Sequence, residues 1–355
     1  RRTWPPEGRN RDNASVGTDC NQVRPINRIY MLRTKITELF GLSYPIMSAP
    51  MSNHSGGRLA AAVSQAGGLG TFGGIHPGGA DFVREQVKYI RAQTGNPFGV
   101  GFISHMLPDR PEIFETALDE AVPVIAFSFG DPQPWLGRAK DAGALTVCQV
   151  QSLEDSAEAV AAGTDALVVQ GNEAGGHTGT MNLLPFLVRV MEQFPDIPVM
   201  AAGGISSGRS LAAVLAAGAD GAWMGTAFLA TPEAEEVPEA FKERIIQSDG
   251  QDTIFTRLYD LIGGGPWPRG VAGRVYNNRF VRTWDGRDAE VLSRREELAS
   301  DAAEAWAKHD VEVASVYMGQ SAASVGSIRP AGDVLEEVCG EAERVLWGRF
   351  RELNL

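Results

Sequence analysis

Eight short apolar runs recur along this chain at intervals of roughly 20–30 residues, each followed by a polar or glycine-rich turn and then an amphipathic, Ala-rich stretch. They are PIMSA (45–49), GLGTF (68–72), FGVGFI (98–103), PVIAFS (123–128), LTVCQ (145–149), ALVVQ (166–170), PVMAA (198–202) and GAWM (221–224). The runs are apolar throughout rather than alternating, as parallel strands covered on both faces require. The stretches between them carry helical spacing. In SLEDSAEAVAAGTD, Leu153, Ala157 and Val160 fall on one face, Ser152 is placed to cap the start and Gly163 the end. SSGRSLAAVLAAGAD repeats the design with Ser206 or Ser207 and Gly218, and GGRLAAAVSQAGG is a third copy. The pattern predicts an α/β fold, a closed (β/α)8 TIM barrel. An open doubly wound sheet is the competing architecture, and the count of eight favours closure.

A barrel of this kind takes about 250 residues, so a chain of 355 leaves room for more. Residues 1–33 are rich in Arg, Asn, Pro and Asp without an apolar period, which predicts a disordered N-terminal extension. A clean domain start follows Met31, the expected natural start of the protein. Residues 34–230 and 313–355 are assigned to the barrel, and the charged, helix-prone 231–312 to a mainly helical insertion or cap.

The net charge of -12 argues against a nucleic-acid partner, whose phosphates need a basic face, and gives no reason to expect an anionic membrane. No apolar run approaches the roughly 18–20 residues of a membrane span, and the beginning has no signal-peptide core. Cys20, Cys148 and Cys339 form no C-x-x-C pair, so neither a disulfide framework nor a metal site is expected. A cytoplasmic enzyme is the expectation.

In a barrel, chemistry sits at the C-terminal ends of the strands. After the seventh run, AAGGISSG places Gly203 and Gly204 just before a helix, where exposed N–H groups and the helix dipole favour an anion. After the eighth, WMGTAF offers Gly225 and Thr226. Glycine pairs more often serve turns, but two of them at the ends of strands seven and eight predict a phosphate-bearing ligand. After the sixth run comes VVQGNEAGGHTGT. Gln170 can donate and accept, Gly175 and Gly176 permit close approach to a planar ring, and His177 has no helix or core to pack in. Among five histidines, His177 is therefore the candidate for proton transfer near neutral pH, whereas His76 and His309 read as structural. SAPMSNHSGG after the first run could border a flat ring or be an ordinary turn, and His54 reaches the same mouth.

These loops, in this order, resemble the nitronate monooxygenases, formerly called 2-nitropropane dioxygenases, a family of FMN-dependent TIM barrels. The resemblance rests on PIMSAPM, QGNEAGGHTG, AAGGI, MGTAFL and YMGQSA and spans residues 34–330. It implies FMN as cofactor, with Pro50 and Met51 along the flavin ring and Gln170 and Gly175, assisted by Gln149, at its polar edge. Gly203 and Gly204 would hold the phosphate, with Trp223, Met224, Gly225 and Thr226 completing that site. Gln320 would close over the flavin, and His177 would be the catalytic histidine. The implied reaction oxidises a nitronate or nitroalkane with O2 to a carbonyl compound and nitrite. One departure stands out: after PFGV many family members carry an Asn that contacts the flavin, and here that position is Gly101. Substrate shape or flavin potential is expected to differ accordingly.

Two other readings stay open. One is an NAD(P)H-dependent flavin reductase of a quinone or enoyl thioester; the other is a non-catalytic flavin-binding protein. A barrel of the inosine-monophosphate dehydrogenase type shares the phosphate loops but needs a cysteine after the sixth strand. None lies between Cys148 and Cys339, which discounts it.

Overall fold

The computed structural model describes residues 32–265 and 267–353; apart from residues 32 and 33, the expected N-terminal extension lies outside them. Nine strands precede the C-terminal third: β1 (Ile46–Ser48), β2 (Gly70–Gly73), β3 (Phe98–Ile103), β4 (Val124–Ser128), β5 (Leu145–Val150), β6 (Ala166–Gln170), β7 (Gly176–Thr178), β8 (Val199–Ala202) and β9 (Gly221–Met224). All but β7 form one parallel sheet in the order β1-β9-β8-β6-β5-β4-β3-β2. Leu69 closes the ring: it bridges Met47 in parallel, accepting from Ser48 N–H at 3.0 Å and donating to Ile46 O at 2.9 Å. The chain is a TIM barrel, and each of the eight expected strands lies in its wall.

Helix α1 (Lys35–Phe40) precedes β1, and helices follow the strands: α2 (Gly57–Gln65), α3 (Gly79–Gln93), α4 (Pro111–Asp119), α5 (Gln133–Asp141), α6 (Leu153–Ala161), α7 (Leu183–Gln193), α8 (Gly208–Ala216) and the single turn α9 (Thr226–Leu229). Their ends obey the local chemistry. Ser152 accepts from Asp155 N–H at the start of α6, and Ser207 caps α8. Gly67, Gly163 and Gly218 take the left-handed conformation just beyond α2, α6 and α8.

Alternation along each strand divides the core. Met47, Val124, Ala126, Val147, Val168, Met200 and Trp223 fill the barrel interior, together with Ile36 and Phe40 of α1. Phe72, Phe102, Phe114, Phe127, Leu167 and Val169 belong to the outer layer, with helix residues such as Phe186 and Leu187.

Within and beyond 231–312 lie α10 (Glu239–Ile246), α11 (Leu258–Gly263), α12 (Arg279–Trp284), α13 (Asp288–Ser293), α14 (Arg295–Ala307) and the long α15 (Ala331–Glu352). The same region holds two strands the sequence reading does not anticipate, β10 (Thr253–Thr256) and β11 (Ala272–Tyr276). They join β7 in an antiparallel sheet, order β10-β11-β7, with Gly273 opposite His177. This sheet ties the segment to the loop after β6.

Helix α15 packs against α8 at a point where only glycine fits: a Cβ on Gly208 would lie 2.5 Å from Ala342 N and 2.6 Å from Val338 O. Alanine in place of glycine normally stabilises a helix by about 0.8–1.0 kcal/mol. Gly208→Ala should instead lose about 1–3 kcal/mol in equilibrium urea unfolding, because two helices must separate. Gly137→Ala in α5, where nothing lies within 4 Å, should gain up to about 1 kcal/mol.

Candidate active site

The strand ends and the loops that follow them surround a cavity of about 270 Å³. Of the residues predicted for a site, Pro50, Met51, Gln149, Gln170, Gly175, His177, Gly203, Gly204, Trp223, Gly225 and Thr226 all line it. Met224 and Gln320 do not. Trp223 and Met224 are neighbours on β9, so they point to opposite faces; Trp223 is inside the barrel and Met224 is buried in the outer layer. The Gln320 side chain is exposed, its backbone N–H donating to Glu173 O at 3.0 Å, and it is Ser321 that reaches the cavity. Among the described residues, no Lys, Arg, Asp or Glu lines the space.

At one end the backbone is bare. Gly203 and Gly204 have φ of 101° and 70°, a left-handed path that a side chain would strain. The N–H groups of Gly203, Gly204, Ile205 and Gly225 have no acceptor among the described residues, and all four residues line the cavity. The helix starts where expected, with Ser207 as its cap and Gly208 as its first residue, but its first donors are already engaged. Ser207 accepts from Ser210 N–H, and Glu341 of α15 accepts from Gly208 N–H at 2.8 Å. The loop turn, rather than the first turn of the helix, supplies free donors for an anion. With no carboxylate in the lining, these donors fit a phosphate.

Beside this cradle the walls close to a narrow slot. Pro50 lies against Gly101, where a Cβ would come within 2.1 Å of its ring. The glycine at the departing position is thus the one residue that leaves room for Pro50 as it sits. Gly175 meets the backbone of Gly319, where a Cβ would lie 2.4 Å from N. The side-chain amide of Gln149 makes no hydrogen bond among the described residues, and Gln149 lines the cavity. Gln170 is engaged: its Nε2 donates to His177 O, and its Oε1 accepts from Gln151 Nε2, both at 3.0 Å. Its first task is to hold the histidine loop, and Gln151 is a partner the sequence reading missed.

That loop is tied at several points. Thr178 Oγ1 donates to Gly171 O, Asn172 Nδ2 to Gly179 O, and Arg274 of β11 reaches Asn172. His177 is thereby fixed on β7, with its Nε2 2.7 Å from Asp260 Oδ1. The two side chains are only 13% and 14% exposed, so water screens the contact weakly. Asp260 Oδ2 is buried without a partner among the described residues, an arrangement that costs about 1–3 kcal/mol. Trp267 stacks on the imidazole, centroids 3.4 Å apart and planes 10° from parallel. Phe129 and His105 set their rings against Trp267, and Tyr317 lies 5.8 Å from His177. Burial, then the charge of Asp260, pushes the Tyr317 pKa up, so it stays a neutral phenol. Asp260, Trp267 and Tyr317 are residues the sequence reading did not find; the glycine-rich turn after Ile262 was the signal nearest to them.

His54 also lines the cavity, its Nδ1 3.3 Å from Met51 O. Burial pushes its pKa down and keeps the ring uncharged at neutral pH. His76 stacks on Phe82, and neither it nor His309 is part of the lining. Among the described residues no cluster of three or more His, Cys, Asp or Glu could hold a metal ion, and no helix is long and apolar enough to cross a membrane.

A family model described as nitronate monooxygenase matches residues 33–116 and 108–341. A Mycobacterium tuberculosis protein, a hydroxy-methyl-oxo-octahydro-indene-carboxyl-CoA dehydrogenase, is 36% identical over 74% of this chain and 79% of its own. Among solved structures, FabK from Thermotoga maritima superposes with a TM-score of 0.81 at 31% identity, covering 90% of this chain and 99% of that one. A nitroalkane oxidase from Streptomyces ansochromogenes gives a TM-score of 0.72 at 32% identity, over 88% and 99%.

Neither described cysteine is part of this lining, and burial pushes the Cys148 thiol up to about 12 and raises that of Cys339 as well. A raised thiol pKa means that both remain protonated through pH 8, and the thiolate is the reactive form. A thiol-reactive dye at pH 8 should therefore label neither residue in the native protein and both in denaturant, as read by peptide mass spectrometry.

Proposed function

The chain belongs to the nitronate monooxygenase family, and from that premise we propose that this oxidoreductase uses FMN to oxidise alkyl nitronates with O2 to carbonyl compounds and nitrite. The observation that carries the reading is the convergence on one cavity of unpaired backbone donors and the His177 imidazole. The N–H groups of Gly203, Gly204, Ile205 and Gly225 would hold the phosphate, with the Thr226 hydroxyl beside them. Pro50, Met51 and Gly175 would border the ring, and Gln149 and Gln170 would meet its polar edge. FMN, when bound, supplies the redox chemistry, taking electrons from the substrate and passing them to O2.

The chain's own residues then do three things. The cradle holds the phosphate with backbone donors, and no lysine or arginine lines it among the described residues. Phe129, Trp267 and Tyr317 wall the cavity with apolar surface and exclude water, which strengthens each polar contact inside. His177, held by Asp260 and by the β7–β11 pairing, faces the substrate as the group able to take or hold a proton. An uncharged lining of this kind suits a small substrate whose side chain is unionised.

The likeness to the CoA dehydrogenase and to FabK favours a second reading, NAD(P)H-dependent reduction of a quinone or an enoyl thioester. The two differ in the reductant. Under the first, the purified yellow protein consumes O2 with ethylnitronate and is bleached poorly by NAD(P)H without oxygen. Rapid anaerobic bleaching by NAD(P)H, with no nitronate-dependent O2 uptake, would move the site to the second. His177→Asn should keep its bound flavin while turnover of nitroethane falls by ~10²–10⁴-fold; undiminished turnover would remove His177 from the chemistry.

A further inference from the structure

Trp267 stands between α11 and β11, in the segment added to the barrel, and its indole lies flat on the His177 imidazole. Two more rings meet that indole edge-on. Phe129, from the turn after β4, has its centroid 5.2 Å away, and His105, from the turn after β3, 5.1 Å away. Trp267 and Phe129 line the cavity, and His105 does not.

Phe129 keeps its place against a local preference. Its φ is 59°, in the left-handed region that bulky side chains avoid. Such a conformation persists only where its surroundings over-determine it, and here they do so through one carbonyl. Phe129 O accepts from the His105 backbone N–H at 3.2 Å and from His105 Nδ1 at 2.8 Å. The next residue has to be glycine: Gly130 has φ of 126°, and a Cβ on it would lie 3.0 Å from His105 N. His105 Nε2 is buried with no partner among the described residues, so the polar edge of the ring serves this one bond. The indole is thereby gripped between the imidazole and two edges. A substrate can displace it only by breaking the stack and both edge contacts together.

Space at this point is short. The cavity measures about 270 Å³, below the about 300–1,000 Å³ that ligand pockets commonly offer. On the function proposed above, it must take a flavin and a substrate together. The volume that Trp267 fills beside His177 is volume the substrate does without.

We propose that Trp267, backed by Phe129 and His105, is the residue that sets the upper size of the substrate. Resting on the function proposed above, the substrate class is a short-chain primary nitro compound or its nitronate; a chain that ends in a ring is excluded.

Oxygen uptake by the flavin-loaded enzyme tests this with two primary nitronates, ethylnitronate and the ring-bearing nitronate of (2-nitroethyl)benzene. The wild type should favour ethylnitronate in kcat/KM by about 10–200-fold, the discrimination an apolar pocket achieves. Trp267→Ala should raise the ring-bearing substrate relative to ethylnitronate by about tenfold, chiefly through KM, and Trp267→Phe by less. His105→Ala, which frees the Phe129 carbonyl, should move the same ratio in the same direction. A wild type that accepts both nitronates alike, or a ratio that Trp267→Ala leaves unchanged, would overturn the proposal. A ratio unmoved by His105→Ala would remove His105 from it. If the wild type consumed oxygen with neither nitronate, the nitronate reading would fail, and binding would still decide the size limit. Benzoquinone should then perturb the flavin spectrum of the wild type, and naphthoquinone only that of Trp267→Ala. Equal binding of both quinones to the wild type would overturn the limit as well.

Discussion

Pairing of β8 with β9 is the constraint on which the site depends. In a closed parallel barrel all strands end on one face, so neighbours in the wall deliver the turns that follow them to one place. Met200 sits opposite Gly221 and Ala202 opposite Trp223, which brings Gly203–Ile205 and Gly225 together at the same rim. The alternative, an open sheet, would have left β1 and β2 as free edges. Instead Leu69 bridges Met47, and the interior is packed by Met47, Met200 and Trp223, so the rim is held by a rigid wall.

The second half of the site comes from elsewhere in the chain. β7 is three residues long and would not stand alone, because an isolated pair of strands is marginal in water. Its pairing with β11, whose other edge pairs with β10, fixes His177 and brings α11 and its carboxylate to the imidazole. The barrel therefore supplies the proposed anion cradle and the walls of the slot, and the segment after Phe228 supplies Asp260 and Trp267. Such a division lets chemistry vary by altering the added segment while the cradle stays as it is.

Most of the barrel was legible because its signals are local. FGVGFI, ALVVQ and GAWM coincide with β3, β6 and β9 to the residue, and Ser152, Gly163 and Gly218 cap where their chemistry requires. The place of Gly203, Gly204 and Gly225 at the cavity rim was legible for the same reason: close approach needs a bare backbone, and that shows in the letters. What stayed hidden was non-local. Asp260 is one of 44 acidic residues and gains meaning only through β7–β11 pairing across about a hundred residues of chain. Gln151 as the partner of Gln170 was hidden likewise. Met224 differs in kind, since strand alternation alone separates it from Trp223. In YMGQSA the informative residue is Gly319, pressed against Gly175, with Ser321 rather than Gln320 facing inward.

The central claim is that one rim of glycine-bared backbone holds a phosphate and so sets a flat redox ring beside His177. A crystal structure of the protein grown with FMN tests it most directly. The account predicts phosphate oxygens within hydrogen-bonding reach of the Gly203, Gly204 and Gly225 N–H groups, with the ring along Pro50 and Gly175. FMN bound at any other face, or a cavity that stays empty at saturating FMN, would contradict it.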